Sequence, residues 1–466
     1  MDISILLNKK LDSTLYMQIY YHLRQEIKTG RIKPKEKLPS KRKLADQLGV
    51  SQHTVETAYQ QLKAEGYVES RPRSGIYAAV LPEDEWLLPA LPVEEESLIS
   101  SGRNKIEIDF SHGKVDLRSF PLHLWKKLSN ETLQQTSEEL FLNGDPKGEL
   151  NLREEIKKHL YQSRGVECTA SQIIIGAGTQ YLMHLLVMLL GRNKNFGMEN
   201  PGFHRTRGVF EREEVSWKPI ALDKEGIMIS ELAEKQIEAV YITPSHQFPL
   251  GHIMPVKRRI ELLQWALQNN SFIIEDDYDG EYRYAGQSIP ALQGLYRGRE
   301  QVIYLGTFSK TLLPSLRISY MVLPEVLVKK FDEQLLLYKQ TVSRLHQHTL
   351  YLFMKRGHWQ THVNKMRTNY RRKQEQLLLS IEEHFGERVK VKGEKSGLHI
   401  LLQLKTKEGE RKLIELAEKQ GVKVYPVSIY YADRNARYSE VLLGFGGLSK
   451  QEIEEGIIRL KAAWYE

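Results

Sequence analysis

Apolar residues recur every three or four positions at the start of the chain. In TLYMQIYYHLRQEIKTG, Leu15, Ile19, Leu23 and Ile27 fall on one helical face, and Gly30 is a natural stop. LPSKRKLADQLGV enters a second helix at Pro39 and Ser40, buries Leu44 and Leu48, and turns at Gly49. A third helix follows Ser51, with Val55, Tyr59 and Leu62 as its stripe and Gly66 at its end. YVESRPRSGIYAAV then predicts two short strands about a turn at Arg73, Ser74 and Gly75. Helix, helix-turn-helix and a small wing make a winged helix-turn-helix order.

The pattern stops over residues 81–104, where three prolines and six acidic residues show no period; this predicts a linker. From 105 to 466, strand-like runs (QIIIGAG, AVYITPS, SFIIEDD, QVIYLGT, RISYMVL) alternate with amphipathic helices. That order predicts an α/β fold with a mixed, mostly parallel sheet, followed by a smaller α+β subdomain. The expected organisation is a head at 1–80, a linker at 81–104 and a body at 105–466.

Bulk numbers narrow the setting. A chain of 466 residues exceeds one ordinary core, and 41% hydrophobic with 27% charged residues is a globular balance. No run of about 18 apolar residues predicts a membrane span, and the start lacks a basic end followed by a long apolar stretch. The expectation is a cytoplasmic protein without a membrane partner. A single cysteine, Cys168, excludes an internal disulfide framework and a cysteine-based metal cluster, and no metal site is expected. The net charge is +8, but its distribution says more. Residues 22–43 hold Arg24, Lys28, Arg31, Lys33, Lys35, Lys37, Lys41, Arg42 and Lys43 against only Glu26 and Glu36, a stripe suited to phosphates.

The same region carries LPS-x-R-x-LA, GVS-xx-TV and L-x-AEGY in order, and so resembles the GntR-type winged helix. The resemblance implies double-stranded operator DNA as a partner. Ser51, Gln52, His53 and Thr54 stand at the N-terminus of the recognition helix, where N–H groups and small side chains meet phosphates or base edges. Ser40 and Arg42 flank them on the preceding helix, and Arg42 can reach the backbone or a guanine edge. Arg73, Ser74 and Gly75 form the wing tip, which in such folds enters the minor groove. Where the family usually has Arg after GVS, this chain has Gln52, which favours adenine over guanine.

In the body, YLGTFSKTLLPSLRISYMVLP places a Thr-x-Ser-Lys turn after a strand, with an arginine seven residues beyond the lysine. It resembles fold-type I pyridoxal-phosphate enzymes. Lys310 is the candidate for a Schiff base with the cofactor aldehyde, and Arg317, Thr307 and Ser309 are the candidate phosphate partners. In FIIEDDYDGEY, Asp276 matches the carboxylate that keeps the pyridine nitrogen protonated and Tyr278 a partner for the phenolic oxygen; Asp277 reads as a solvated strand-end carboxylate. IIIGAGTQYLMHLL offers Gly178, Thr179 and Gln180 as a phosphate cradle at a helix N-terminus. PGFHR sets Phe203 against the ring face. In YITPSHQFPLG, His246 and Gln247 stand near the position where aminotransferases carry an Asn beside the ring oxygen. In NGDPKGELNLREEI, Asn143 takes the place of a Tyr that crosses a dimer interface.

Head and body together resemble the MocR/GabR subfamily of regulators over essentially the whole chain. The resemblance implies a pyridoxal 5′-phosphate aldimine at Lys310, a head-to-tail domain-swapped homodimer, and an amino-compound effector. The effector's exchange at the lysine would change how the heads are held. Arg205 matches one arginine of an effector carboxylate clamp. The second would fall near VYPVSIYYADR, where Ile429 stands, leaving Arg207 and Arg434 as substitutes. No catalytic residue is assigned, since the fused head and the missing Asn lean against more than a residual transaminase half-reaction. The competing readings are an active aminotransferase with an accessory head, and a regulator that has lost the cofactor.

Overall fold

The structure, a computed structural model, describes residues 5, 7, 14–72, 74–80, 106–135, 138–284, 289–295 and 298–465. The chain divides into two units, Met1–Ser101 and Gly102–Glu466. The linker expected at 81–104 and Arg73 lie outside the described residues.

In the first unit, α1 (Leu15–Lys28) buries Ile19, Tyr20, Leu23 and Ile27. α2 (Lys41–Leu48) starts at Ser40, whose Oγ accepts the Lys43 N–H, and stops at Gly49 in the left-handed region. α3 (Gln52–Ala64) starts in the same way at Ser51, whose Oγ accepts the Thr54 N–H. Both caps satisfy N–H groups that a first helical turn leaves unpaired. Val55, Tyr59 and Leu62 close the core against Ile19, Leu23 and Leu44, while Leu48, expected to be buried, is only partly so. The wing is the antiparallel hairpin of β1 (Val68–Arg71) and β2 (Gly75–Ala78). Gly75, expected in the turn, is already the first residue of β2, paired with Arg71. Its φ is +123°, and a Cβ there would fall 2.9 Å from Lys37 Cε.

In the second unit a short β3 (Ile108–Asp109) precedes the main sheet. That sheet comprises β4 (Ile173–Gly176), β5 (Phe196–Asn200), β6 (Trp217–Asp223), β7 (Gly226–Ile227), β8 (Ala239–Ile242), β9 (Phe272–Asp277), β10 (Val302–Thr307) and β11 (Ser319–Val322). Its eight strands run in the order β4-β11-β10-β9-β8-β5-β6-β7. Only β11 and β7 oppose the common direction. The apolar runs read from the sequence are β4, β8, β9, β10 and β11, buried almost throughout as a sheet covered on both faces requires. β5, β6 and β7 were not among those runs. β5 contains Gly197 and Asn200, and β6 contains Pro219, tolerated because β7 pairs with β6 only at Leu222 and Asp223.

The C-terminal part is the smaller α+β subdomain. β12 (Val389–Lys392) and β13 (His399–Leu404) form a four-stranded sheet, past β14 (Val422–Lys423), with β15 (Tyr425–Pro426) and β16 (Glu440–Gly444). β14 itself pairs in parallel with β3. The helices His358–Phe385 and Lys450–Tyr465 supply Tyr370, Leu377 and Ile457 to a core shared with Ile400 and Leu443.

The shared strand direction positions the chemistry. β4, β8, β9 and β10 end at one edge of the sheet, and the chain beyond them carries Gly178, Thr243, Tyr278 and Lys310. Ligand crevices in α/β sheets form at such carboxyl ends.

Candidate functional site

One cavity at this edge is lined by Gly178, Thr179, Gln180, Phe203, Arg205, Asp276, Tyr278, Thr307, Ser309, Lys310 and Arg317. These residues come from separate stretches of sequence, and all were candidates from the sequence. His246 is the cofactor candidate that the lining does not include; its ring lies behind Tyr278 and Asp279.

At one end, Gly178 caps the helix Thr179–Leu190 at φ 94°. Arg317 reaches over it from a left-handed turn at φ 53°, so that a Cβ on residue 178 would fall 2.3 Å from Nη2. A guanidinium above open helix N–H groups is an anion cradle. Beside it, Thr307 Oγ1 accepts the Ser309 N–H at 3.2 Å and the Ser319 hydroxyl at 2.9 Å.

Deeper in, Asp276 is 3% exposed. Its Oδ2 accepts the Tyr241 hydroxyl, and its Oδ1 is buried without a partner. Burial pushes the carboxyl up to about 7 against the Tyr241 hydrogen bond, with Asp277 and Asp279 adding to the rise. Asp277 is not the solvated carboxylate the sequence suggested. It is buried, ion-paired with Arg164, and accepts the Tyr304 hydroxyl at 2.6 Å. The reason is long-range packing: β9 is an interior strand with β8 and β10 on its two edges, and the side chains of Arg164 and Tyr304 close over its end.

Lys310 Nζ donates to the backbone carbonyl of His112. Burial lowers its ammonium to about 8, opposed by Asp279 and reinforced by Arg205. Arg205 is exposed and forms no hydrogen bond or ion pair among the described residues. The two substitutes for the second clamp do not line the cavity. Arg207 is buried and donates to the carbonyls of Tyr431 at 2.7 Å and Ile429 at 2.9 Å, while Arg434 is exposed. Asn143 is also exposed and absent from the lining.

The cavity includes residues that sequence reasoning did not single out. His112, Phe248, Asp279 and His399 line it, and the ring centroids of Phe248 lie 5.3 Å from those of His112 and 5.1 Å from His399. Burial, with Lys310 and Arg205 adding, holds His112 neutral down to about 3. Asp279 was legible as one more acid of EDDYDGE, but nothing in HGK or GLHI marked the histidines. His246, Asp279 and His399 each bring one potential metal ligand atom within 4.8 Å of the others. The His246 Nδ1 is already bonded to Asp279 and the His399 Nε2 to the Pro249 carbonyl.

In the head, Arg42, Lys43, Gln52 and His53 are exposed, whereas Lys41 is paired with Glu56 and Arg31 with Glu26. Ser40 and Ser51 are exposed caps, and Thr54 Oγ1 lies 2.8 Å from Ser51 Oγ. Ser74 Oγ lies 2.6 Å from the Tyr77 hydroxyl, and Arg71 and Lys37 sit over the Tyr77 ring at 4.5 Å and 5.9 Å. Among the described residues no helix is long and apolar enough to cross a membrane.

Comparisons with known proteins match the same two-part organisation. The family described as bacterial regulatory proteins, gntR family, matches residues 15–78, and aminotransferase class I and II matches residues 105–459. The chain is 49% identical over 467 residues to the uncharacterized HTH-type transcriptional regulator YdeL of Bacillus subtilis, covering 100% of each. It is 31% identical to the probable rhizopine catabolism regulatory protein MocR of Rhizobium meliloti, over 99% of this chain and 96% of that one. Among solved structures it is similar to Pyrococcus horikoshii kynurenine aminotransferase in complex with PMP, at 28% identity and a TM-score of 0.68, over 76% of this chain and 90% of that one.

Proposed function

Because the chain belongs to the MocR/GabR-like group of GntR-type transcription regulators, we propose that its body holds pyridoxal 5′-phosphate on Lys310, reads an amino compound there, and so controls how the head engages double-stranded operator DNA. The protein is a transcription regulator built on an aminotransferase fold, not a working aminotransferase.

One arrangement carries the cofactor reading: Lys310, the unpartnered Asp276 Oδ1 and the Gly178–Arg317 cradle face a single cavity. When bound, pyridoxal phosphate supplies an aldehyde carbon to which amines add reversibly and a ring that withdraws electrons. The residues fit it end to end. Arg317, the helix N–H groups at Thr179 and Gln180, and the hydroxyls of Thr307 and Ser309 would hold the phosphate. Asp276 Oδ1 would accept the ring-nitrogen hydrogen, Phe203 would cover the ring, and Tyr278 would stand beside the ring oxygen. Lys310, lowered to about 8, is partly a free amine at neutral pH and can act as a nucleophile. Arg205 is left to bind an effector carboxylate.

In the head, Arg42, Gln52 and His53 would meet the DNA, with Ser74 and Gly75 at the wing. Ser40, Ser51 and Thr54 would contribute mainly through the caps that aim the helix N-termini. Effector exchange at Lys310 would shift a two-state equilibrium in how the heads of a head-to-tail homodimer are held.

The test uses the full chain loaded with pyridoxal 5′-phosphate. A visible band near about 420 nm is expected, lost in Lys310→Ala and on borohydride reduction. Amino compounds that bleach the band identify the effector class. Arg42→Ala is expected to weaken operator binding and leave the band unchanged. Steady transamination at roughly 1–1000 per second would overturn the regulator reading.

A further inference from the structure

Tyr241 carries the hydroxyl of β8, whose sequence AVYI is otherwise apolar and buried throughout. It stands opposite Ile274 where β8 pairs in parallel with β9, and Ile274 and Asp276, two residues apart, share a face. The phenol runs along that face and donates to Asp276 Oδ2. A hydroxyl buried without a partner is costly, so it is the carboxyl that makes a tyrosine tolerable in this strand. The same hydroxyl is bonded to that of Thr206, a buried residue on the helix His204–Arg212. With the phenol hydrogen committed to Asp276, Thr206 is the donor of this second bond, and a donor behind the phenol strengthens the phenol's own donation. Asp276 Oδ1 is left without a partner, on a residue that lines the cavity.

We propose that Tyr241 is a positioning residue that acts through Asp276, with Thr206 behind it. By occupying Oδ2 it fixes the rotation of the carboxyl, makes Oδ1 the oxygen offered to the cavity, and favours the carboxylate over the neutral acid. The inference rests on the reading that pyridoxal phosphate occupies the cavity, because the group that Oδ1 meets is then the ring nitrogen. A carboxylate leaves the proton on that nitrogen, whereas a more basic Asp276 takes it. Burial and the charges of Asp277 and Asp279 oppose ionisation of Asp276, and the Tyr241 hydrogen bond works against them. The other titratable and charged groups around this carboxyl are Glu199 and Tyr278, with Lys310 and Arg205 across the cavity.

The experiment follows the Asp276 carboxyl against pH by NMR of the full, cofactor-free chain with labelled aspartate carboxyls, the signal being the one that Asp276→Asn removes. Tyr241→Phe keeps the ring and removes only the hydroxyl. It is expected to raise the ionisation midpoint by about one pH unit or more, about tenfold in proton affinity. Thr206→Val is expected to raise it by less, and to add nothing in a Tyr241→Phe background, because Thr206 acts through Tyr241. A midpoint that does not rise in Tyr241→Phe, or a Thr206→Val effect that persists undiminished in that background, overturns the proposal. Should Tyr241→Phe fail to fold, Thr206→Val alone decides, and an unmoved midpoint overturns the proposal. In the full chain loaded with ring-nitrogen-labelled pyridoxal 5′-phosphate, the nitrogen signal of Tyr241→Phe is expected to move toward that of Asp276→Asn; an unmoved signal overturns the role toward the cofactor. Absence of any Lys310-dependent visible band overturns the cofactor reading and leaves the carboxyl titration standing, so the two failures are distinct.

Discussion

The Nη2 of Arg317 lies 2.3 Å from where a Cβ on residue 178 would be, so the two residues contend for one space and only glycine leaves it to the guanidinium. Gly178 also sits at φ 94° and ψ 162°, a region that L side chains rarely adopt. Gly178→Ala must then strain the turn by about 1–3 kcal/mol or push Arg317 off the cradle. The expected result is at least about a tenfold loss of pyridoxal-phosphate affinity, since roughly 1.4 kcal/mol is tenfold. Absorbance titration measures this, and operator binding by the cofactor-free protein serves as the control that should not change.

Two buried acids, Asp276 in the cavity and Glu199 outside its lining, make stability depend on pH. Burial pushes both Asp276 and Glu199 up to about 7, with Asp277 and Asp279 adding at the first and Asp276 at the second. Such acids are protonated in the folded chain at pH values where the unfolded chain has ionised them. The folded state then binds more protons, so stability falls as pH rises from about 4 to about 7. The cofactor-free protein should melt at a lower temperature at about pH 7.5 than at about pH 5. Asp276→Asn, which cannot ionise, should recover roughly 2–4 °C per kcal/mol at the higher pH and little at the lower. Calorimetry that finds the variant melting lower at about pH 7.5 would refute this assignment of Asp276.

The legible parts of this molecule were those where one stretch of sequence sets one local structure. GAGTQ, EDDYD and TFSK each span a strand end and the turn beyond it, and their resemblance to fold-type I motifs pointed to Gly178, Asp276, Tyr278 and Lys310, which line one cavity. The caps at Ser40 and Ser51 were legible for the same reason. What escaped depends on long-range packing. Asp277 looked solvated because a strand end does not announce that Arg164, 113 residues away, will cover it. His112 and His399 enter the cavity from the edge of the smaller subdomain, and their sequences carry no mark of it. Arg207 looked available because the carbonyls of Ile429 and Tyr431 that occupy it lie 222 and 224 residues further on.

In the head, two neighbours separate binding from folding. Arg42 is exposed with no ion pair among the described residues, whereas Ser51 Oγ accepts the Thr54 N–H. Arg42→Ala should lower operator affinity and reduce the slope of log affinity against log salt by about 1, with the melting temperature unchanged. Ser51→Ala should cost about 0.5–2 kcal/mol of head stability through the lost cap. Gln52→Arg, which restores the residue usual after GVS, should shift the preferred base from adenine toward guanine. Operator binding across a salt series checks the first, thermal melting the second, and binding across a set of single-base operator variants the third; an unchanged base preference for Gln52→Arg would remove that residue from the interface.

Two arginines in the first turn of the helix His204–Arg212 should respond differently to the same substitution. Arg205 is exposed on the cavity wall and forms no bond among the described residues, so Arg205→Ala removes a cation without breaking the fold. It should weaken the spectral response to carboxylate-bearing amines by about tenfold or more, because a charge-assisted hydrogen bond contributes about 1.5–3 kcal/mol, and should leave amines without a carboxylate unaffected. Arg207 is 6% exposed and holds two backbone carbonyls. Its removal takes the side-chain donor from the Ile429 carbonyl and leaves the Tyr431 carbonyl with only the Arg434 N–H, at a cost of about 1–3 kcal/mol, so Arg207→Ala should lower the melting temperature of the body. It should affect all amines alike, through loosening of the Ser428–Tyr430 turn that it pins. Titrating both variants with a matched amine pair, one bearing a carboxylate and one not, separates the roles. If Arg207→Ala alone showed carboxylate-selective loss, the effector clamp would belong to Arg207 and not to Arg205.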